Sequence, residues 1–165
     1  MSIQDIMSTP AVTCRETDTL SRAAQLMWER DCGAIPVTDE AGALVGIVTD
    51  RDICMAAYTK GAPLSAIPIS DAMAKQVFSC HADDPLEAAE RLMSEKQIRR
   101  VPVVDGDNRP VGLLSLNDIA RYAVSARKRN GIDREVTQTL AAICEPRAQP
   151  VQPWRQAQVQ PPAPI

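Results

Sequence analysis

A duplication constrains this chain more than any other feature. Shifted by 66 positions, residues 3–53 fall on residues 69–119 without a gap, and 17 of the 51 paired positions are identical. Average residue usage would give about three. The identical pairs include Ile3/Ile69, Met7/Met73, Cys14/Cys80, Pro36/Pro102, Gly46/Gly112 and Asp52/Asp118. Two copies of a roughly 60-residue unit are too few for a solenoid, and one such unit alone buries too little surface for comfortable stability. The copies are therefore expected to share a core across a pseudo-twofold axis, with ligand-sized clefts between them.

Within each copy, apolar spacing alternates between strand and helix. Ala11-Val12-Thr13-Cys14 and Val77-Phe78-Ser79-Cys80 read as short extended stretches. Thr17-Asp18-Thr19 and Asp83-Asp84-Pro85 offer helix-capping side chains, with Pro85 suited to a first helical turn. Leu20, Ala23, Ala24 and Met27, and Leu86, Ala89, Leu92 and Met93, then recur at helical spacing on one face. Ile35-Pro36-Val37-Thr38 and Val101-Pro102-Val103-Val104 read as strands, whose prolines should sit at a strand start or edge. A turn and a further strand follow, Leu44–Val48 or Val111–Leu114, and then helices from near Asp50 and Leu116. The first of these helices should stop at Lys60-Gly61. The expected fold is α/β (α+β): two pseudo-twofold-related repeats, each strand-helix-strand-strand-helix. The expected divisions are repeat one at 1–60, a linker at 61–68, repeat two at 69–126, a C-terminal helix at 127–145 and a flexible Pro/Gln-rich tail at 146–165.

Composition narrows the class. Aromatic residues make up 3% of the chain, so the core must be Ala, Val, Ile, Leu and Met. The net charge of −3 argues against a general nucleic-acid binder, even with Arg127-Lys128-Arg129. No stretch has the length of a membrane span, and the N-terminus lacks signal-peptide features, so a cytoplasmic location is expected. Five cysteines without a CxxC pair fit a reducing compartment, and a single histidine, His81, leaves no ordinary zinc site. Cys14 and Cys80 are expected to behave as small buried hydrophobes. His81 has no visible nucleophile to activate and is expected at the surface.

The segments most suited to chemistry are Gly46-Ile47-Val48-Thr49-Asp50-Arg51-Asp52 and Gly112-Leu113-Leu114-Ser115-Leu116-Asn117-Asp118. Each is a strand end, a hydroxyl residue and, three residues on, an aspartate at the start of a helix. One reading is a variant capping box, in which the hydroxyl and the acid satisfy helix N–H groups. The other uses the same geometry for a ligand. A helix N-terminus attracts phosphate, and a carboxylate one turn in can accept ribose hydroxyls.

These segments, with Ile6-Met7 and Ala72-Met73, Ile35-Pro36-Val37-x-Asp39 and Val101-Pro102-Val103-x-Asp105, resemble a paired cystathionine-β-synthase (CBS) domain module. The resemblance spans about residues 3–125, with three motifs in order in each copy. It implies a non-catalytic bacterial-type regulatory module that binds AMP, ADP, ATP, NAD or S-adenosylmethionine between its repeats, AMP foremost, and needs no other cofactor or metal. It also implies that Thr49 and Asp52, and Ser115 and Asp118, hold the ribose and phosphate. Each pocket would borrow from the opposing repeat. The first would combine Ile47, Thr49 and Asp52 with Val77, Phe78, Arg99 and Arg100. The second would combine Leu113, Ser115 and Asp118 with Ala11, Val12, Gly33 and Ala34. The arginines would then favour phosphate at the first pocket only.

The Ala/Met/Leu helix faces further suggest a homodimer, and relatives in this family commonly pair through such helices. The alternative is a ligand-free dimerising scaffold that recruits an unknown protein through its C-terminal helix or tail. Neither reading involves a membrane or nucleic acid.

Overall fold

The computed structural model describes residues 1–126 and 139–140, with side chains to residue 122 and at 139–140. The first repeat comprises β1 (Cys14–Arg15), α1 (Leu20–Glu29), β2 (Ala34–Thr38), β3 (Leu44–Thr49) and α2 (Asp50–Lys60). The second comprises β4 (Cys80–His81), α3 (Leu86–Lys96), β5 (Arg100–Val104), β6 (Pro110–Ser115) and α4 (Leu116–Ala126). The expected order of strand, helix, strand, strand, helix holds in both. The expected helix over 127–145 and the tail over 146–165 lie outside the described residues, apart from Thr139 and Leu140.

Each repeat builds one three-stranded sheet, ordered β1-β2-β3 or β4-β5-β6. The first pair in each sheet is parallel and the second antiparallel. The registers match residue for residue: Pro36 faces Ile47 and Val37 faces Gly46, as Pro102 faces Leu113 and Val103 faces Gly112. β2 is buried along its whole length, the expected burial of a central strand.

Two expectations are corrected. Pro36 and Pro102 lie inside central strands rather than at a start or edge. The physical reason is that β1 and β4 are only two residues long and pair first at Val37 and Val103. On the other side, Ile47 and Leu113 turn their backbone groups to Ala74 and Ser8, not to the prolines. Neither missing N–H therefore has a strand partner to lose. Pro85 is the N-cap of α3 rather than its first residue, and no side chain caps that end. The nearby Asp84 carboxylate is occupied instead by the His81 amide, at 2.8 Å. His81 lies in β4 and is exposed.

The repeats are interlocked at their beginnings. Ile3, in a short 3-10 helix, is fully buried in the core of the second repeat, which also contains Leu86, Met93, Val101, Leu114 and Ile119. Ile69 is fully buried in the core of the first, with Leu20, Met27, Ile35, Val48 and Ile53. Backbone bonds fix the exchange: Ile3 donates to the Asp84 carbonyl (3.0 Å), and Ile69 to the Asp18 carbonyl (2.8 Å). The hairpin turns also meet, where the Leu44 amide donates to the Asn108 carbonyl at 2.8 Å.

Candidate functional site

Both candidate segments lie where a strand passes straight into a helix. β3 ends at Thr49 and α2 begins at Asp50. Thr49 Oγ1 accepts the Asp52 amide at 3.2 Å, while Asp52 Oδ2 accepts the Thr49 amide at 2.8 Å and hydroxyl at 2.7 Å. In the second repeat, Ser115 Oγ accepts the Asp118 amide at 3.2 Å, and Asp118 Oδ2 accepts the Ser115 amide at 2.8 Å and its hydroxyl. The capping box is thus formed in both repeats. It consumes one carboxylate oxygen and orients the other, so the cap and the ligand reading are compatible.

The second oxygen distinguishes the two sites. Among the described residues, the Asp52 carboxylate accepts bonds only from Thr49, at Oδ2. Asp118 Oδ1 accepts the Ser8 hydroxyl at 3.4 Å and a short contact from Arg121 Nη2. Asp118 is 4% exposed, whereas Asp52 is half-buried. Ser8, Arg121 and their role here escaped the reading of the sequence. For Arg121 the signal was present in the repeat alignment, where it pairs with Met55; Ser8, paired with Ala74, reaches this site only through the exchange of opening segments.

The opposing repeat closes on each site through its opening segment. Ser8 and Leu113 exchange amide-to-carbonyl bonds at 2.9 and 3.0 Å, and the Ala11 amide donates to Val111 at 3.2 Å. Ala11 therefore lies beside β6, the strand that carries Leu113 and Ser115, with Val12 the next residue and half-buried. In the other half, Ile47 and Ala74 exchange bonds at 3.1 and 2.9 Å. Gly46 and Gly112 permit this approach. A Cβ on Gly112 would stand 2.9 Å from the Ser8 carbonyl oxygen and 2.6 Å from Met7 Sδ. Val77 and Phe78 are half-buried, and Lys96 Nζ sits 5.0 Å from the centre of the Phe78 ring.

The two arginines behave differently. Arg99 is exposed, and its carbonyl accepts the Leu116 amide at the start of α4. Arg100 pairs with Ser115 in the sheet, but its guanidinium crosses to the first repeat. A Cβ on Gly33 would lie 2.7 Å from Arg100 Nη2 and 2.9 Å from Asp50 Oδ2. The structure thus brings together Gly33 and Arg100, expected in different pockets, at the N-terminus of the helix that carries Asp52. Ala34 is buried and pairs with Thr49. Burial raises the nearby Cys32 thiol, and the Arg100 charge pulls the other way.

Among the described residues, no group of three His, Cys, Asp or Glu side chains could hold a metal ion. No helix among them is long and apolar enough to cross a membrane.

Comparison with known proteins agrees with this architecture. The CBS domain family pattern matches residues 3–58 and 69–125. The CBS domain-containing protein YhcV of Bacillus subtilis (strain 168) is 39% identical over 119 residues, covering 72% of this chain and 83% of that protein. The CBS domain pair of protein MJ0100, solved in complex with 5'-methylthioadenosine and S-adenosyl-L-methionine, superposes with a TM-score of 0.69 at 31% identity, covering 76% of this chain and 97% of that one. CBSX2, solved in complex with AMP, superposes with a TM-score of 0.66 at 25% identity, covering 76% and 98%. With two interlocked copies of the same unit, each matched by the same family, the chain belongs to the CBS domain family as a tandem CBS pair.

Proposed function

We propose that the pair is a non-catalytic regulatory sensor that binds an adenosine-containing ligand, AMP foremost, in the clefts between its repeats. The observation that carries this reading is the duplicated capping box. Thr49–Asp52 and Ser115–Asp118 each place a hydroxyl, a carboxylate and a helix N-terminus together beside a strand held by the opposite repeat. That set suits a nucleotide: helix N–H groups for phosphate and the carboxylate for ribose hydroxyls. The bound adenosine compounds of the MJ0100 pair and CBSX2 support the same class. ADP, ATP, NAD and S-adenosylmethionine belong to that class. Arg100, at the start of α2, supports a phosphate preference at the Asp52 cleft. A thermal-shift panel of these ligands tests the proposal, because a ligand that binds only the folded state at a hundredfold excess over its Kd stabilises it by about 2.7 kcal/mol. No shift with any of them would sink it.

One observation favours self-association as part of this function. Trp28 is 90% exposed and Tyr58 74% exposed, on α1 and α2 of the first repeat. Trp28 borders a cavity of about 270 Å³ lined by Ala24, Met27, Cys32, Asp50 and Ile53. A homodimer through these helices would cover that apolar surface. A sedimentation mass of one chain at micromolar concentration would contradict it.

A further inference from the structure

The two clefts differ at the atom that would hold the ribose, and the difference lies in two side chains. Asp52 and Asp118 are equivalent in the repeat, carry the same cap and begin the same helix. Around Asp52, the matching places to Ser8 and Arg121 are Ala74 and Met55, which offer no side-chain donor. Asp118 Oδ1 instead faces the Ser8 hydroxyl and the Arg121 guanidinium. A carboxylate oxygen already bonded to a cation is a poor acceptor for a neutral hydroxyl, because the charge-assisted bond is the stronger one. Arg121 is largely exposed, so it can swing away, but a ligand must first displace it.

We propose that Arg121 is a specificity-determining residue that ranks the two clefts. It competes with the ligand's ribose hydroxyls for Asp118, so the Asp52 cleft fills first and the Asp118 cleft only at higher ligand concentration. This rests on the adenosine-binding reading above. The sensor would then answer over two concentration ranges rather than one. Displacing one largely exposed arginine from a carboxylate corresponds to roughly a two- to fivefold weakening.

The test is calorimetry with AMP on the full chain. Asp52→Asn leaves only the Asp118 cleft to be read, and Asp118→Asn leaves only the Asp52 cleft. In the Asp52→Asn background, Arg121→Met, which installs the residue of the first repeat, should tighten AMP binding about two- to fivefold. Arg121→Gln should do the same, which guards against an effect special to methionine. In the Asp118→Asn background, Met55→Arg should weaken binding by a similar factor. Circular dichroism should show each variant folded, because Arg121 and Met55 are exposed and asparagine at 52 or 118 keeps a capping oxygen. If AMP binds and Arg121→Met leaves the Asp118 cleft unchanged or weaker, the ranking role is wrong while the adenosine reading stands. If no variant, nor the unaltered chain, binds AMP or any other ligand of the panel, the adenosine reading itself fails and this inference with it.

Discussion

The Ile3 amide donates to the Asp84 carbonyl at 3.0 Å, tying the beginning of one repeat to the helix start of the other. The side chain follows the backbone. Ile3 completes the second core as Ile69 completes the first. Neither repeat owns all of its own core, which explains why two small units stand together.

Ile3→Ala should therefore destabilise the whole described body, not a frayed end. Removing a fully buried isoleucine typically costs about 2–5 kcal/mol. Denaturant unfolding followed by circular dichroism should show a single transition at a lower midpoint, with Ile69→Ala behaving alike. A midpoint unchanged by Ile3→Ala, or two separate transitions, would contradict the interlock.

Gly112→Ala should be more harmful than Gly106→Ala. The added methyl on residue 112 would lie 2.9 Å from the Ser8 carbonyl oxygen, a backbone atom that also accepts the Leu113 amide. Nothing lies within 4 Å of a methyl on residue 106. Overpacking of this kind costs about 1–3 kcal/mol. Thermal denaturation of the two variants measures the difference.

The thiols should make the fold sensitive to alkali. Burial pushes Cys14 and Cys80 from an ordinary 9.0 to about 11, with Asp18 and Asp84 adding smaller upward contributions. The folded thiols keep their protons while the unfolded ones lose them, so stability is full below pH 9 and falls as pH rises towards 11. The loss is on the order of 2–3 kcal/mol per thiol. Cys80→Ala should flatten the fall between pH 9 and 11 relative to the unaltered chain. At neutral pH, iodoacetamide should label exposed Cys54 well before Cys14 or Cys80.

Arg100→Ala should lower AMP affinity at the Asp52 cleft more than adenosine affinity, by about 1.5–3 kcal/mol for a lost charge-assisted bond. Arg99→Ala should matter less, because Arg99 is exposed while the Arg100 guanidinium reaches the start of α2. Titrating both ligands against both variants checks this, and equal losses for AMP and adenosine would assign Arg100 a structural role.

Much of this architecture was legible because it depends on local pattern. The strands, helices and hydroxyl-to-aspartate spacing repeat at one offset, and each copy corroborates the other. What was not legible depends on where the chain goes next. Nothing local to Ile3 reveals that it packs in the other half. The central position of Pro36 becomes intelligible only once β1 is seen to begin pairing at Val37, one residue beyond it. The occupied state of Asp118 arises from Arg121, one turn away on the same helix, and Ser8, 110 residues away in sequence. The first could have been found by asking which repeat positions differ around the shared aspartate. The second needed the exchange of opening segments that the structure displays.

The most direct test of the central claim is AMP calorimetry on the unaltered chain, Asp52→Asn and Asp118→Asn. Asparagine nearly preserves size and keeps a capping oxygen, so the helix start should survive while the ribose loses its charged acceptor. Each variant should lose one binding event, its affinity weakened by about 1.5–3 kcal/mol, and retain the other. Unchanged affinity and stoichiometry in both variants would mean that these aspartates only cap helices, and that the clefts between the repeats are not nucleotide sites.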